Sequence, residues 1–289
     1  MSSRNNLDRI GAAAPEDSSS AAVVAEPTQP TLQYTVPTEI VDLPSKGKFY
    51  PEGHTLFGKD TIEIRHMTAK DEDILTNKSL IRKGVVLDRL LESVLVDKTI
   101  NPKDLLVCDK SALLVATRIN AYGENYGAKI PCVSCGTVAN YEFDLEEATK
   151  VNDFEEVLHS SDTVYLTEWG TFKTTLLKTK AEVEFRPLTG IDEATIASTN
   201  ATRIKNGLQE LGITDQMKMF IVSVAGNQDR SFISDFVDNM PAADSLYLRN
   251  KYNFSIPSFE LAQIWSCGDC GYEQVLEVPF TSEFFWPKQ

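Results

Sequence analysis

Histidine is scarce in this sequence, with three residues in 289, at His54, His66 and His159. They fall in a loop, a strand and a helix-like segment, so neither a Ser-His-Asp triad nor a His-Glu-x-x-His zinc motif can be assembled. Each is read as a structural or solvent-facing side chain. Long apolar runs are missing as well. Nothing approaches the roughly 18 apolar residues of a membrane-spanning helix, and residues 1–26 carry neither an apolar signal core nor an arginine-rich amphipathic pattern. The expectation is a chain made and kept in the cytoplasm, without membrane insertion. Positive charge is in deficit: 28 Lys and Arg stand against 42 Asp and Glu, a formal charge of −14. Such a field repels phosphate backbones and argues against nucleic acid as the main ligand. The acidity reads as a solubility device or as the complement of a basic partner subunit. The SKGK run at 45–48 lacks the Gly-x4-Gly-Lys-Ser/Thr frame and a following helix, so it is not a phosphate loop.

Apolar side chains make up 42% of the sequence, enough at this length for a sizeable core without disulfide staples. Residues 1 to 35 are rich in Ala, Ser, Pro and Glu and poor in large apolar groups, which predicts a disordered tail. Residues 36–60 intersperse Pro37 and Pro44 with Val36, Ile40, Leu43, Phe49 and Tyr50, which suits an extended arm rather than a helix. That segment has two uses open to it: lying along another surface, or packing on its own domain.

Comparison of the chain with itself reveals a duplication. IEIRHMTAKDEDI starts at Ile62, and VEFRPLTGIDEAT starts at Val183. Each copy runs a strand-like alternation up to Arg65 or Arg186. A threonine follows (Thr68, Thr189), then an aspartate three residues on (Asp71, Asp192) with glutamate next (Glu72, Glu193). This is a strand feeding a helix, with the threonine as cap and the carboxylates at the positive end of the dipole. The acidic cluster Asp71, Glu72 and Asp73 therefore marks a helix start, not a catalytic pair. Apolar periodicity predicts helices over 85–96 and 111–122 in the first copy, and over 215–225, 231–237 and 241–249 in the second, with Pro241 at a first helical position. These are expected to form a small bundle in each half. Between the copies, residues 163–177 alternate around Trp169 and Gly170 as a β-hairpin.

Both copies end alike. PCVSCGTVANYEFDL holds Cys132, Cys135 and Gly136; SCGDCGYEQVLEVPF holds Cys267, Cys270 and Gly271. A Cys-x-x-Cys turn offers two thiolates from one tight knuckle, and two knuckles supply the four soft ligands that zinc prefers. The interval between the pairs is too long for a compact finger, but a pseudo-twofold relation between halves would bring equivalent knuckles to one ion. Cys132, Cys135, Cys267 and Cys270 are thus the candidate metal ligands, with one structural Zn2+ per chain and no open coordination position for catalysis. A redox-active dithiol and a pair of disulfides remain as rival uses of these thiols. Cys108, in the apolar run LLVC, is read as a buried small side chain. The terminal FFWP run at 284–287 calls for burial, against this chain or a neighbouring subunit.

The fold class expected is α+β. Residues 61–150 form one half with the first knuckle; 151–289 add a β-hairpin insertion and the second half; a discontinuous zinc ribbon joins the two. No convincing catalytic set appears, and the chain is read as a non-enzymatic docking protein. Rival classes are a zinc-ribbon regulatory protein binding nucleic acid or polymerase, and a thiol oxidoreductase. The acidic strands after each knuckle, YEFDLEE and YEQVLEVPF, speak against the first.

Several segments together resemble the T-even-type bacteriophage baseplate protein family: DLPSKGKFYP, MTAKDEDILTN with LIRKGVVLDRLLESVLVDK, LLVCDKSALLVATRINAYG, the CVSCG knuckle and FFWP. The likeness runs from about Val41 to Trp286 and leaves out residues 1 to 35. It implies a place in the central hub of a contractile tail's baseplate, as a component or in its assembly. It also implies other baseplate and tail subunits as partners, self-association in the hub, and a virion location after assembly in the host cytoplasm.

Overall fold

Alternating side chains write the first strand pair. In β2 (Thr61–Arg65), Ile62 and Ile64 are buried while Thr61 and Glu63 face out, the period-two pattern of a half-buried strand. It pairs antiparallel with β1 (Thr38–Asp42), Ile40 opposite Glu63. The computed structural model describes residues 35–152, 154–156, 163–210, 212–278 and 282–285. The tail expected at 1–35, apart from Thr35, and His159 lie outside them. From Val36 onward the chain forms one unit of mixed helix and sheet.

Helices α1 (Ala69–Leu75), α3 (Val86–Val94) and α4 (Val107–Tyr122) pack in sequence on this first pair, with the short α2 (Lys78–Arg82) between the first two. On α3, Val86, Leu90, Leu91 and Val94 are buried, the stripe of an amphipathic helix. The segment after β1 packs on the chain's own body. Leu43, Phe49, Tyr50 and Leu56 are in the core, and Asp109 of α4 accepts hydrogen bonds from the Ser45 amide (2.9 Å), the Ser45 hydroxyl (2.6 Å) and the Tyr50 hydroxyl (2.7 Å). Burial raises the Asp109 carboxyl above its usual range, against the pull of those donors. Phe49 stacks on Phe172 (5.2 Å) and meets Phe154 edge-on (5.1 Å), and Phe172 stacks on Phe185 (5.5 Å). This row of rings ties the early segment to the second half of the chain.

That second half holds a four-stranded antiparallel sheet in the order β6 (Val164–Leu166), β7 (Phe172–Thr175), β8 (Glu182–Phe185), β9 (Ile221–Val224). The hairpin expected around Trp169 and Gly170 is the β6–β7 pair. Helices follow at Gly190–Lys205, Ile213–Phe220, Arg230–Asp238 and Ala242–Ser255. Two local readings change. The helix expected over 215–225 stops at Phe220, because Ile221, Ser223 and Val224 leave it to pair with β8, which favours β-branched side chains. Pro241 caps the last helix from outside, at ψ 137°, instead of opening it.

The two strand-to-helix corners are built alike. Arg65 bonds both Asp71 oxygens (2.7 and 2.8 Å) and the His66 carbonyl (2.9 Å); Arg186 does the same with Asp192 (2.7 and 2.9 Å) and the Pro187 carbonyl (3.0 Å). Asp71 also accepts from the Thr68 amide and hydroxyl, as Asp192 does from those of Thr189. Each aspartate therefore closes a capping box and neutralises the guanidinium beside it.

Candidate metal centre

Each cysteine pair sits at the tip of a hairpin. The first hairpin is β3 (Asn125–Pro131) with β4 (Val138–Asp144), and the second is β10 (Phe259–Ser266) with β11 (Glu273–Glu277). Their bases are fixed separately. Arg118, 1% exposed on α4, donates to the carbonyls of Gly123 (2.7 Å), Asn125 (3.0 Å) and Phe284 (3.0 Å), pinning the start of β3 and the 3-10 turn Ser282–Phe285 to one helix. This gives buried Phe284 and Phe285 their partners inside the chain. At the second base, Asn152 donates to the Ile256 carbonyl (2.7 Å) and accepts from the Ser258 amide (2.7 Å). The chain leaves β4 through α5 (Leu145–Ala148) into β5 (Thr149–Val151), which pairs with β10. One hairpin thus hands the backbone directly to the sheet of the other.

The tips repeat each other bond for bond. Cys132 donates its amide to Thr137 (2.8 Å) and accepts from the Gly136 amide (2.9 Å); Cys267 does so with Tyr272 (2.9 Å) and Gly271 (2.8 Å). Gly136 and Gly271 adopt φ of 76° and 70°, a region that costs an L side chain free energy and glycine very little. In both knuckles the first cysteine is buried and the second exposed.

The four sulfurs converge. Cys132 Sγ lies 3.7 Å from Cys270 Sγ, Cys135 Sγ lies 3.7 Å from Cys267 Sγ, and all four fall within 4.8 Å of one another. A disulfide needs about 2.05 Å between sulfurs, and all the cysteines are free thiols. A tetrahedron with metal–sulfur distances of about 2.3 Å has edges of about 3.8 Å, which the two 3.7 Å separations match, and the cluster is compatible with a metal site. The local field favours thiolate at one position: the Thr137 hydroxyl and amide, with the Cys270 thiol, lower Cys135 to about 6. At Cys270 the Tyr272 amide pulls the thiol down, while partial loss of hydration and the Cys135, Cys267 and Cys132 sulfurs push it up more, to about 11. Four crowded thiols do not all ionise unless a cation joins them.

The remaining candidates stand apart from this cluster. His54 stacks on Tyr50 at 4.6 Å and accepts the Leu56 amide through Nδ1, and His66 faces Glu39 at 4.0 Å. Cys108 is buried beside Asp109, and burial pushes its thiol well up. Sequence reasoning did not foresee the Arg65–Asp71 and Arg186–Asp192 pairs or the roles of Asp109 and Arg118. The first two had a visible signal, an arginine six residues before an aspartate in both copies. The last two reach positions far away in sequence, Asp109 to Ser45 and Tyr50 and Arg118 to Phe284, and had none. Among the described residues no helix is long and apolar enough to cross a membrane.

A family model described as T4 bacteriophage base plate protein matches residues 36–286. No curated protein and no solved structure matches the chain.

Proposed function

The chain belongs to the T4 bacteriophage base plate protein family, and from that membership we propose that it is a structural or assembly subunit of a contractile tail's baseplate, in its central hub. It acts by docking to other baseplate and tail subunits, reaches the virion tail, and is assembled in the host cytoplasm. The family match over 36–286 is the observation that carries this role. The work is structural rather than catalytic, and the chemistry of the cysteine cluster agrees: four protein sulfurs around one ion leave no position for a substrate.

Within that role Cys132, Cys135, Cys267 and Cys270 hold one structural Zn2+, and the ion clamps two related halves, 61–150 and 151–289. Two features support the clamp. The hairpin tips share their backbone bonding, and two sulfur–sulfur separations across them, 3.7 Å each, match the edge of a zinc–thiolate tetrahedron. The corners at Arg65 and Arg186 support the duplication, since each repeats the other's donors and acceptors. A clamp suits a part that carries load: structural zinc in finger peptides contributes about 10–16 kcal/mol of apparent binding free energy, far above what a surface contact adds.

Deletion of the gene from a phage genome, followed by electron microscopy of the lysate, tests the role. Tails should be missing or lack assembled baseplates, with wild-type chain supplied in trans restoring them. Intact, contracting tails in the deletion would overturn the proposal.

A further inference from the structure

The β10–β11 hairpin has one buried face and one open face. On the inner face Trp265 and Leu276 are buried, while on the outer face Ile264 and Val275, directly opposite each other, are 66% and 64% exposed. Burial of the inner face fixes the register, so the outer pair cannot turn inward without exposing Trp265 and Leu276. Glu273 and Glu277 stand two residues to either side of Val275, exposed on the same outer face. Neither carboxylate is ion-paired among the described residues.

The backbone of the same three residues is open too. Among the described residues β11 is the last strand of its sheet, whose order is β11, β10, β5. The Cys267 amide donates to the Tyr272 carbonyl (2.9 Å) and the Val278 amide to the Leu261 carbonyl (3.0 Å), which puts Gln274 and Leu276 in the bonded pairs with β10. Antiparallel pairing alternates, so the amides and carbonyls of Glu273, Val275 and Glu277 point away from β10 to the free edge. Edge strands are ordinarily closed off by a lysine, a proline or a bulge. β11 has none of these and pairs with β10 without a register shift.

Charge names the occupant. A strand added at this edge sets one side chain beside Val275 and one beside each glutamate, all on the outer face. A second copy of β11 centred on Val275 would set glutamate against glutamate in either direction, and the chain as a whole carries a charge of −14. We propose that β11 is the docking edge for an extended segment of a partner protein, in which an aliphatic residue opposite Val275 is flanked, two residues to each side, by Lys or Arg. Backbone bonds supply affinity, and the two glutamates select the partner. Discouraging self-pairing needs only the glutamates and leaves the exposed aliphatic pair beside them unexplained. The inference gives the docking role a partner chemistry, but it rests on β11 and not on the family match, so the phage deletion and the binding test fail independently.

Fluorescence anisotropy with a labelled, capped peptide of the order Thr-Lys-Thr-Ile-Thr-Lys-Thr, on the full chain purified without chelator, tests it. Binding should saturate and should slow hydrogen exchange at the Val275 and Glu277 amides. Two control peptides should each bind at least about tenfold more weakly: one with both lysines replaced by glutamate, and one N-methylated at the isoleucine, which keeps the charge but loses the backbone donor. In the protein, Glu277→Lys should weaken binding by a similar factor. Glu168→Lys, the same charge change at the exposed β6–β7 turn, should leave it unchanged. Circular dichroism and thermal melting of each variant confirm that it is folded. Failure of the basic peptide to saturate, equal binding by the N-methylated peptide, or equal weakening by Glu168→Lys would overturn the proposal. So would a wild-type dimer in sedimentation velocity that Val275→Lys separates, since a second copy would then hold the edge.

Discussion

The two strand-to-helix corners make the same bonds in different surroundings. At the first, the Asp71 side chain is fully buried, and Ser93 of α3 adds a hydrogen bond to it (2.6 Å) while receiving one from Arg65 (2.7 Å). At the second, Asp192 is 15% exposed and Arg186 31% exposed, with no serine in that place. The first corner therefore joins three elements of a core, whereas the second starts a helix in which only Gly190 is fully buried. The knuckles, in contrast, show matching bonds and matching burial in both halves.

The largest effect should fall on the part that is the same. Removal of metal by a chelator, or Cys135→Ser, should release the ion and lower the melting temperature, and Cys270→Ser should do so to the same degree. Calorimetry with metal analysis measures both, and unequal knuckles would break the symmetry. Next comes Asp71→Ala. It leaves Arg65 unpaired in a largely buried setting, at a cost of about 3–5 kcal/mol. Asp192→Ala should cost about 1–2 kcal/mol, since water reaches that pair; equal losses in urea titrations would show that burial does not separate the corners. Ser93→Ala, which removes only the added hydroxyl, should cost about 1 kcal/mol and narrow the gap between them.

Acid sharpens the same contrast. Burial raises the Asp71 carboxyl, but Arg65, Ser93 and Thr68 together outweigh it and hold the group well below the usual carboxylate range. At Asp192 burial is likewise outweighed, by Arg186 and Thr189. A depressed folded pKa stabilises the fold fully above the unfolded value of about 4, and that stability is lost as the pH falls through the folded value. Stability measured between neutral pH and pH 2 should fall on the acid side, and Asp71→Ala should flatten that fall more than Asp192→Ala does.

How much of this was legible in the sequence follows from the range of each interaction. The capping boxes at Thr68 and Thr189, the Trp169–Gly170 hairpin and the Cys-x-x-Cys-Gly turns are closed within a few residues, and the order of side chains announces them. The passage from helix to strand at Ile221 was not legible, because the residues 215–225 keep a helical apolar period and only pairing with β8 decides otherwise. The segment after β1 left two uses open, and Leu43, Phe49 and Tyr50 lie in the chain's own core because Asp109 and Phe172 wait for them there. For the candidate site, the four cysteines were named by their spacing, and the structure brings them together. What the spacing did not show is how the hairpins are placed: β5 pairs with β10, and Arg118 ties the start of the first hairpin to the distant Phe284 carbonyl.

X-ray absorption at the zinc edge, on protein purified without chelator, tests the clamp most directly. It should find one zinc per chain with four sulfur neighbours at about 2.3 Å and no nitrogen or oxygen in the first shell. A chain that is folded yet metal-free, or a zinc bound by fewer than four sulfurs, would contradict it.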